Sequence, residues 1–487
     1  MSQGPSYFLG IDCGTGSTKA VLLDASSGEM AGIRSSSHAI DARPDGTSEQ
    51  DPDDWLRALQ EAVRAVVEEV RPSEVRGIAV SGQQHGLVAL DRDDRPVRPA
   101  KLWNDTTTVA ECDLLTDAVG GHDRALELTG NRLLPSYTAP KVLWLRRHDP
   151  DAYARAVRFC LPHDYLNRWL TGTFVTEPGD ASGTAYFDIR ERRYADAVLA
   201  AMDADRDWQG TLPPVAASRS VIGTLRVDAA DALGLEPGIP VTGGGGDNMC
   251  AALGVGAVTP GPVVVSLGTS GTAFGRRDVP AIDPLGEVSA FCDSAGGWLP
   301  LACTLNCTGT VDWARSLVGD APDVDGALAS SPPGADGLTL LPYLAGERTP
   351  DLPRASGTLL GLRAGHGPAD LVRAAVEGVT MALVFALDAL ARTGLEAERL
   401  ILVGGGANSD AWGQLVADVT GLLVERPATV EAAAAGAAAQ ARWVIDGIAP
   451  SPPPAERRWE PRPDEALMAA RERHDRAREL ARQGLLA

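Results

Sequence analysis

Two short turns built from glycine, threonine and serine could each hold a phosphate. The first lies in Gly10-Ile11-Asp12-Cys13-Gly14-Thr15-Gly16-Ser17-Thr18-Lys19. The second comes about half the chain later, in Val264-Val265-Ser266-Leu267-Gly268-Thr269-Ser270-Gly271-Thr272. Successive backbone N–H groups in such turns form anion-binding nests, and the hydroxyls add donors. One such turn alone reads equally as a hairpin connection. Two of them, in two halves, point to related domains closing on one nucleotide. Neither is a Walker loop, because no Gly-Lys-Ser/Thr follows, and the first lacks the third glycine of the dinucleotide fingerprint. Asp12, at a strand end, is placed to hold Mg²⁺ directly or through water. Between the turns, Gly243-Gly244-Gly245-Gly246-Asp247-Asn248 ends a glycine run in a carboxylate. Glycine there allows close backbone approach to a ligand. The carboxylate could accept a substrate hydroxyl proton during in-line attack on phosphorus. The competing reading is a turn aspartate capping a helix that begins near Asn248.

Two further groups have the composition of a sugar site. Gln84 and His85, between glycines, follow a strand at its C-terminal end, where α/β sheets present ligands. An amide and an imidazole suit a polyhydroxylated substrate, although a lone histidine is more often structural. Trp103-Asn104-Asp105 adds an aromatic face and polar edges, and reads equally as a helix cap.

The elements that must position these residues alternate in type. Residues 7–24 read as a strand–turn–strand hairpin. Asp53 to Val70 has apolar residues at helical spacing, with Asp51 or Asp53 near its cap. Val75 to Val80 is a buried strand, and Leu87 to Leu90 resumes as one. Residues 140–170 look helical, 211–225 read as loop, and Ile239 to Thr242 is a strand leading into the glycine run. The second half repeats the plan. It has strands near 263–267, 273–274, 299–303 and 400–403, a helix over 369–394, and a glycine turn at Gly404-Gly405-Gly406-Ala407-Asn408. The tract 431–439 reads as a close-packed alanine helix, 449–463 as a Pro-rich surface loop, and 464–487 as a charged terminal helix. The βαβ alternation predicts an α/β fold. The domain division expected from it is 1–250 and 251–487.

Composition narrows the function class. At 487 residues, 44% of them apolar, the chain can bury more than one core. A net charge of −21 argues against a nucleic-acid or anionic-membrane surface. No apolar run is read as reaching membrane-spanning length, and no leader pattern opens the chain. The seven scattered cysteines fit a reducing cytoplasm. Only three lysines occur, at 19, 101 and 141. All fall within the segments singled out here, a weak hint of specific roles.

Taken together, these residues resemble the FGGY carbohydrate kinases. The likeness runs from Tyr7 to about residue 445. The segment Ser136-Tyr137-Thr138-Ala139-Pro140-Lys141-Val142-Leu143-Trp144-Leu145-Arg146-Arg147-His148 matches the family's first signature. Gly357-Thr358-Leu359-Leu360-Gly361-Leu362 followed by Asp370 to Glu377 matches the second. The resemblance implies two actin/hexokinase-like (ribonuclease H-like) domains with a catalytic cleft between them, sugar on the first and ATP mainly on the second. It implies Asp247 as catalytic base, with Gln84, His85, Trp103, Asn104, Asp247 and Asn248 at the sugar. Thr15, Gly16, Ser17, Lys19, Gly268, Thr269 and Ser270 would cradle the phosphates, and Gly309, Gly405, Gly406, Ala407 and Asn408 would contact the nucleotide. Mg²⁺ would sit near Asp12 and Asp247. The segment Gly82-Gln83-Gln84-His85-Gly86 and Leu340 to Pro350 resemble the D-xylulose-phosphorylating branch, which implies D-xylulose and MgATP as substrates. Family members are often homodimers. A heptulose kinase shares a similar segment, so a kinase of another ketose or polyol, such as a heptulose or ribulose, is an alternative. An ATP-binding sensor without sugar chemistry is the remaining alternative.

Overall fold

A computed structural model describes residues 5–428 and 431–486. Tyr7–Cys13 (β1) and Ser17–Asp24 (β2) form the expected hairpin, with Asp12 opposite Lys19. Met30–Ser37 (β3) extends it antiparallel. The helix Pro52–Val67 (α1) begins where the Asp51 side chain accepts the Asp53 N–H, with Pro52 preset for the first turn. Its apolar stripe of Trp55, Leu59, Val63 and Val66 is buried. Val75–Gly82 (β4) then runs parallel to β1.

The region 140–170 is helical with a break. Thr138–His148 (α2) and Pro162–Thr171 (α3) are separated by a short helix, Pro150–Arg155, and the strand Arg158–Cys160. Prolines 150 and 162 each open a new helix, as expected of a residue that cannot continue the previous one. Val221–Thr224 (β5), inside the stretch read as loop, pairs with Pro240–Thr242 (β6). Gly245–Gly246 (β7) lies beside β4. The first sheet is ordered β5-β6-β4-β1-β2-β3.

Asp247–Gly254 (α4) leads to the second sheet. Pro262–Leu267 (β8), Gly271–Gly275 (β9) and Leu301–Thr304 (β10) form its antiparallel part. Thr308–Ser316 (α5) and Pro368–Arg392 (α6) follow. Arg399–Val403 (β11) runs parallel to β8, and Val424–Pro427 (β12) parallel to β11. After Ala432–Asp446 (α7), the strand Ala455–Trp459 (β13) closes the edge, and Glu465–Arg482 (α8) ends the chain. The strand β13 lies where the prolines had been read as loop. Its alternation is hidden because Glu456, Arg457 and Arg458 face solvent on an edge. The order β13-β12-β11-β8-β9-β10 repeats the first sheet strand for strand, with the same parallel and antiparallel neighbours.

Helix α6 corrects one expectation. It is 25 residues long and apolar enough to span a membrane by length and composition. It also carries a buried Arg373–Glu377 ion pair at 2.7 Å and is the central helix of the second core.

The halves exchange helices. Helix α7, late in the second half, packs on the first sheet. Its Ala437, Ala438 and Ala441 join Phe8, Leu23, Ala79 and Cys250 in one cluster. Helix α4, which ends the first half, places Met249 and Ala252 in a cluster with Val264, Phe274 and Ile401 of the second sheet. The two helices cross backbone to backbone. A Cβ at Gly436 would stand 1.7 Å from the Cys250 carbonyl oxygen, and one at Gly254 would stand 1.9 Å from that of Ala432. The β9–β10 connection, residues 276–300, also returns to the first half. There the Asn131 side chain bonds both backbone groups of Ala290, at 2.8 and 2.7 Å.

The crossing sets a steep requirement, because a backbone carbonyl cannot swing aside. Gly436→Ala should cost about 1–3 kcal/mol or more, as overpacking does. A lowered midpoint in a thermal melt is the expected result; an unchanged midpoint would contradict so close a crossing.

Candidate active site

The carboxylate of Asp247 sits at the first position of α4, at the end of a glycine run where space is short. A Cβ at Gly244 (φ +69°) would lie 1.9 Å from the Val80 oxygen, one at Gly245 2.0 Å from Ser294 Oγ, and one at Gly246 2.7 Å from Gln84 Cγ. Only glycine fits this run. Two buried side chains hold it in place. Gln440 of α7 accepts the Gly244 N–H and donates to the Gly244 oxygen, each at 2.7 Å. His163 at the start of α3 donates from Nε2 to the Gly243 oxygen at 2.6 Å, and its Nδ1 faces Asp164 at 3.2 Å. Although burial opposes it, the nearby carboxylates, Asp164 foremost, raise the His163 pKa to about 9. Neither residue figured among the expected site residues. The one signal for Gln440 was a lone amide in an alanine-rich helix.

Asp247 Oδ1 accepts the backbone N–H of Asn248 at 2.7 Å and its Nδ2 at 2.8 Å. Its other oxygen has no protein partner among the described contacts. Burial, reinforced by the charge of Asp12, pushes the Asp247 pKa up to about 7, against the pull of the Asn248 bonds. Asp12 lies on β1 opposite Ser81 of β4, and Gly245 of β7 is also opposite Ser81. Asp12 Oδ1 accepts the Ser81 hydroxyl at 2.7 Å, and burial raises its pKa to about 6. Two electrostatically coupled carboxylates that both resist ionisation suit a dication. Among the described residues no cluster of three or more His, Cys, Asp or Glu occurs, so a Mg²⁺ here would also need phosphate oxygens and water.

Of the residues expected at the sugar, Gln84 and Asn248 meet beside this carboxylate. Gln84 Oε1 accepts Asn248 Nδ2 at 3.1 Å, while Gln84 Nε2 is buried without a partner. An orphan donor beside a carboxylate calls for a ligand. His85 has φ +68°, which is uncommon outside glycine. Its Nδ1 lies 2.9 Å from the Gly183 carbonyl oxygen, which can only accept, so Nδ1 carries the proton and Nε2 offers a lone pair. Burial, then the charges of Arg348 and Lys141, hold its pKa well below the usual range, so the ring stays neutral. Tyr137 and Phe291 flank it at ring distances of 4.8 and 5.8 Å. Trp103 Nε1 donates to Thr15 Oγ1 at 3.0 Å, tying the sugar side to the first phosphate turn. Asn104 is exposed, and Asp105 is held in a buried ion pair with Lys101 at 2.9 Å.

The phosphate turns face open space. Thr15, Gly16 and Ser17 are all at least partly accessible, as are Gly268, Thr269 and Ser270. The Gly268 oxygen accepts the Thr308 N–H at 3.0 Å, which fixes the second turn to the start of α5, and Gly309 abuts Thr269. A cavity of about 310 Å³ opens beside it, lined by Thr308, Val311, Asp312, Gly405, Gly406 and Trp412 among others. Ala407 is buried, with its oxygen bound by Arg426 at 2.8 Å, and Asn408 is exposed outside that lining. Lys19 points elsewhere, forming an ion pair with Glu431 at 2.6 Å. The other two lysines are also tethers: Lys101 holds Asp105, and Lys141 donates to the Tyr137 oxygen at 3.0 Å. The chemistry supported is proton removal from a hydroxyl beside two phosphate turns.

Comparison with known proteins decides the class. The model of the FGGY family of carbohydrate kinases, N-terminal domain, matches residues 7–254, and that of the C-terminal domain matches residues 263–444. The chain belongs to the FGGY family of carbohydrate kinases. It is an ATP-dependent kinase. It is 38% identical to a xylulose kinase of Haemophilus influenzae, over 90% of each chain. It is 42% identical to a xylulose kinase of Streptomyces coelicolor, over 92% of this chain and 89% of that one. The solved structure of a xylulose kinase from Bifidobacterium adolescentis superimposes with a TM-score of 0.85 at 32% identity, covering 97% of this chain and 99% of that one. The two-domain α/β architecture is therefore shared.

The electrostatics of the kinase set its pH dependence. The Asp247 carboxyl, with Asp12 beside it, has a pKa near 7, and a carboxyl serves as a base only once it is deprotonated. In the enzyme free of nucleotide and metal, the carboxyl signals of the pair should titrate as pH drops through about 7, in steps that belong to the pair and not to either residue. Signals that stay flat down to about pH 5.5 would contradict a base with a raised pKa.

Proposed function

We propose that this kinase transfers the γ-phosphoryl group of ATP to the C5 hydroxyl of D-xylulose, giving D-xylulose 5-phosphate and ADP. The observation that carries the reading is the Asp247 carboxylate. It has one oxygen without a protein partner among the described contacts and a pKa near 7, and its neighbour Asn248 contacts both Gln84 and Thr272, which follows the second phosphate turn. The xylulose kinases similar over about nine-tenths of the chain support the choice of sugar.

In this mechanism the C5 hydroxyl donates its hydrogen bond to the free oxygen of Asp247. As the oxygen attacks the γ-phosphorus, the proton passes to Asp247 and the bond to the β,γ-bridging oxygen breaks, releasing ADP. His85 Nε2 accepts from a sugar hydroxyl, and Gln84 Nε2 donates to a sugar oxygen. Backbone N–H groups of Thr15 to Ser17 and Gly268 to Ser270 stabilise the charge on the transferring group. The glycine turn Gly405–Gly406 and Gly309 bound the nucleotide site, with Ala407 and Asn408 at its margin. Asp12, with Asp247, would hold Mg²⁺, which neutralises charge on the β- and γ-phosphates. Lys19 acts through Glu431 rather than on phosphate. Closure of the two domains would exclude water from the γ-phosphate.

The test is ADP release with MgATP across D-xylulose, D-ribulose, L-ribulose, sedoheptulose, D-fructose, glycerol and xylitol. The proposal predicts kcat/KM for D-xylulose at least about tenfold above the others, a margin worth about 1.4 kcal/mol of transition-state binding. Preference for another acceptor would overturn the substrate while leaving the phosphoryl chemistry in place.

A further inference from the structure

The sugar side described so far comes mostly from the first half of the chain. One cation enters it from the second half. Arg348 follows Glu347, whose buried carboxylate accepts the Leu305 N–H at 2.6 Å, the Arg348 N–H at 2.8 Å and Asn306 Nδ2 at 3.0 Å. On the other side, Thr349 Oγ1 donates to the Glu287 oxygen at 2.8 Å. The backbone at 348 is thus held rigidly from both neighbours.

The guanidinium reaches the corner that holds His85. One of its terminal nitrogens donates to Ser289 Oγ at 3.3 Å, the same hydroxyl that Tyr137 contacts at 2.8 Å. Its carbon lies 5.7 Å from the centre of the Tyr137 ring, which in turn stands 4.8 Å from the His85 ring. Its charge is among the causes that keep His85 neutral. Among the described residues Arg348 has no carboxylate partner. Its donors meet only neutral groups, Ser289 Oγ at 3.3 Å with the Tyr137 hydroxyl and the Cys303 thiol close by, and none of its nitrogens is among the sealed, partnerless ones. A part-buried arginine without a counter-charge, set beside the rings of Tyr137 and His85, calls for an acceptor from outside the protein.

The acceptor's own chemistry supplies one. A 2-ketopentose can cyclise only through its C5 hydroxyl. If that hydroxyl is the one phosphorylated, the sugar binds as the open chain and its C2 carbonyl is free. A carbonyl oxygen only accepts, so His85 Nε2 cannot serve it, whereas a guanidinium can. We propose that Arg348 donates to the C2 carbonyl oxygen of the open-chain ketose and is the residue by which the enzyme distinguishes a ketose from the polyol of equal length. This rests on the D-xylulose reading above. Because Arg348 belongs to the second half and His85 to the first, the sugar is held by both domains.

The test compares D-xylulose with xylitol, which carries a hydroxyl in place of the carbonyl. Arg348→Gln should lower kcat/KM for D-xylulose at least about tenfold, mainly through KM, as loss of a charged donor to a buried acceptor does. It should change kcat/KM for xylitol, and KM for ATP, by less than about threefold, so the preference for the ketose collapses. Arg348→Lys keeps the charge without the fork and should fall between; it also serves if the Gln variant fails to fold. Equal losses on both acceptors, or an unchanged preference, would overturn the inference. Failure of the wild-type enzyme to phosphorylate D-xylulose would instead overturn the reading on which it rests.

Discussion

The crossing of α4 and α7 is the contact on which the rest of the structure depends. Gly254 and Gly436 bring two backbones to a separation that no side chain could share. Through this crossing each half of the chain lays a helix on the other half's sheet. The same two helices carry the functional groups. Helix α4 begins with Asp247, and α7 carries Gln440, whose amide bonds both backbone groups of Gly244. The Asp247 carboxylate therefore sits at the end of a glycine run held by a strand of the first half and a helix from the second.

The price of that placement is desolvation, and here it has a chemical use. An exposed aspartate titrates near 4 and is a poor base for a sugar hydroxyl. Burial among glycines, with Asp12 nearby, lifts Asp247 to about 7, so its proton affinity matches working conditions. The two Asn248 bonds occupy Oδ1 and orient the other oxygen outward. Around it the donors and acceptors are one-sided: His85 Nε2 can only accept, and Gln84 Nε2 and Arg348 can only donate. One-sided partners of this kind reject molecules whose polar groups fall in the wrong order.

What was legible in the sequence was what is local. The two hairpins, at residues 7–24 and 262–275, and the glycine run ending in Asp247 are each encoded in one continuous stretch of chain, with glycine where close backbone approach demands it. The repeated sheet followed from the repeated pattern. Contacts between distant segments were not legible. Lys19 looked like a phosphate ligand because of its neighbours, yet its partner Glu431 lies at the far end of the chain. Gln440, His163 and Arg348 gain their roles only when Gly244, Gly243 and Tyr137 fold against them. The strand Ala455–Trp459 was hidden by prolines and by an exposed edge, whereas α6 was read as a helix over 369–394 and only its membrane-length apolar stretch, with Arg373 and Glu377 satisfying each other inside it, went unread.

The central claim is that Asp247 acts as the base and not as a structural cap. Asp247→Asn separates the two, because the amide oxygen can still accept from the Asn248 N–H while the negative charge is gone. The decisive measurement is the single-turnover rate of ADP formation by this variant with D-xylulose and MgATP, alongside calorimetric binding of each substrate. The account predicts a rate lower by about 10²–10⁴ with both affinities within a few-fold of wild type. A rate near wild type would contradict it.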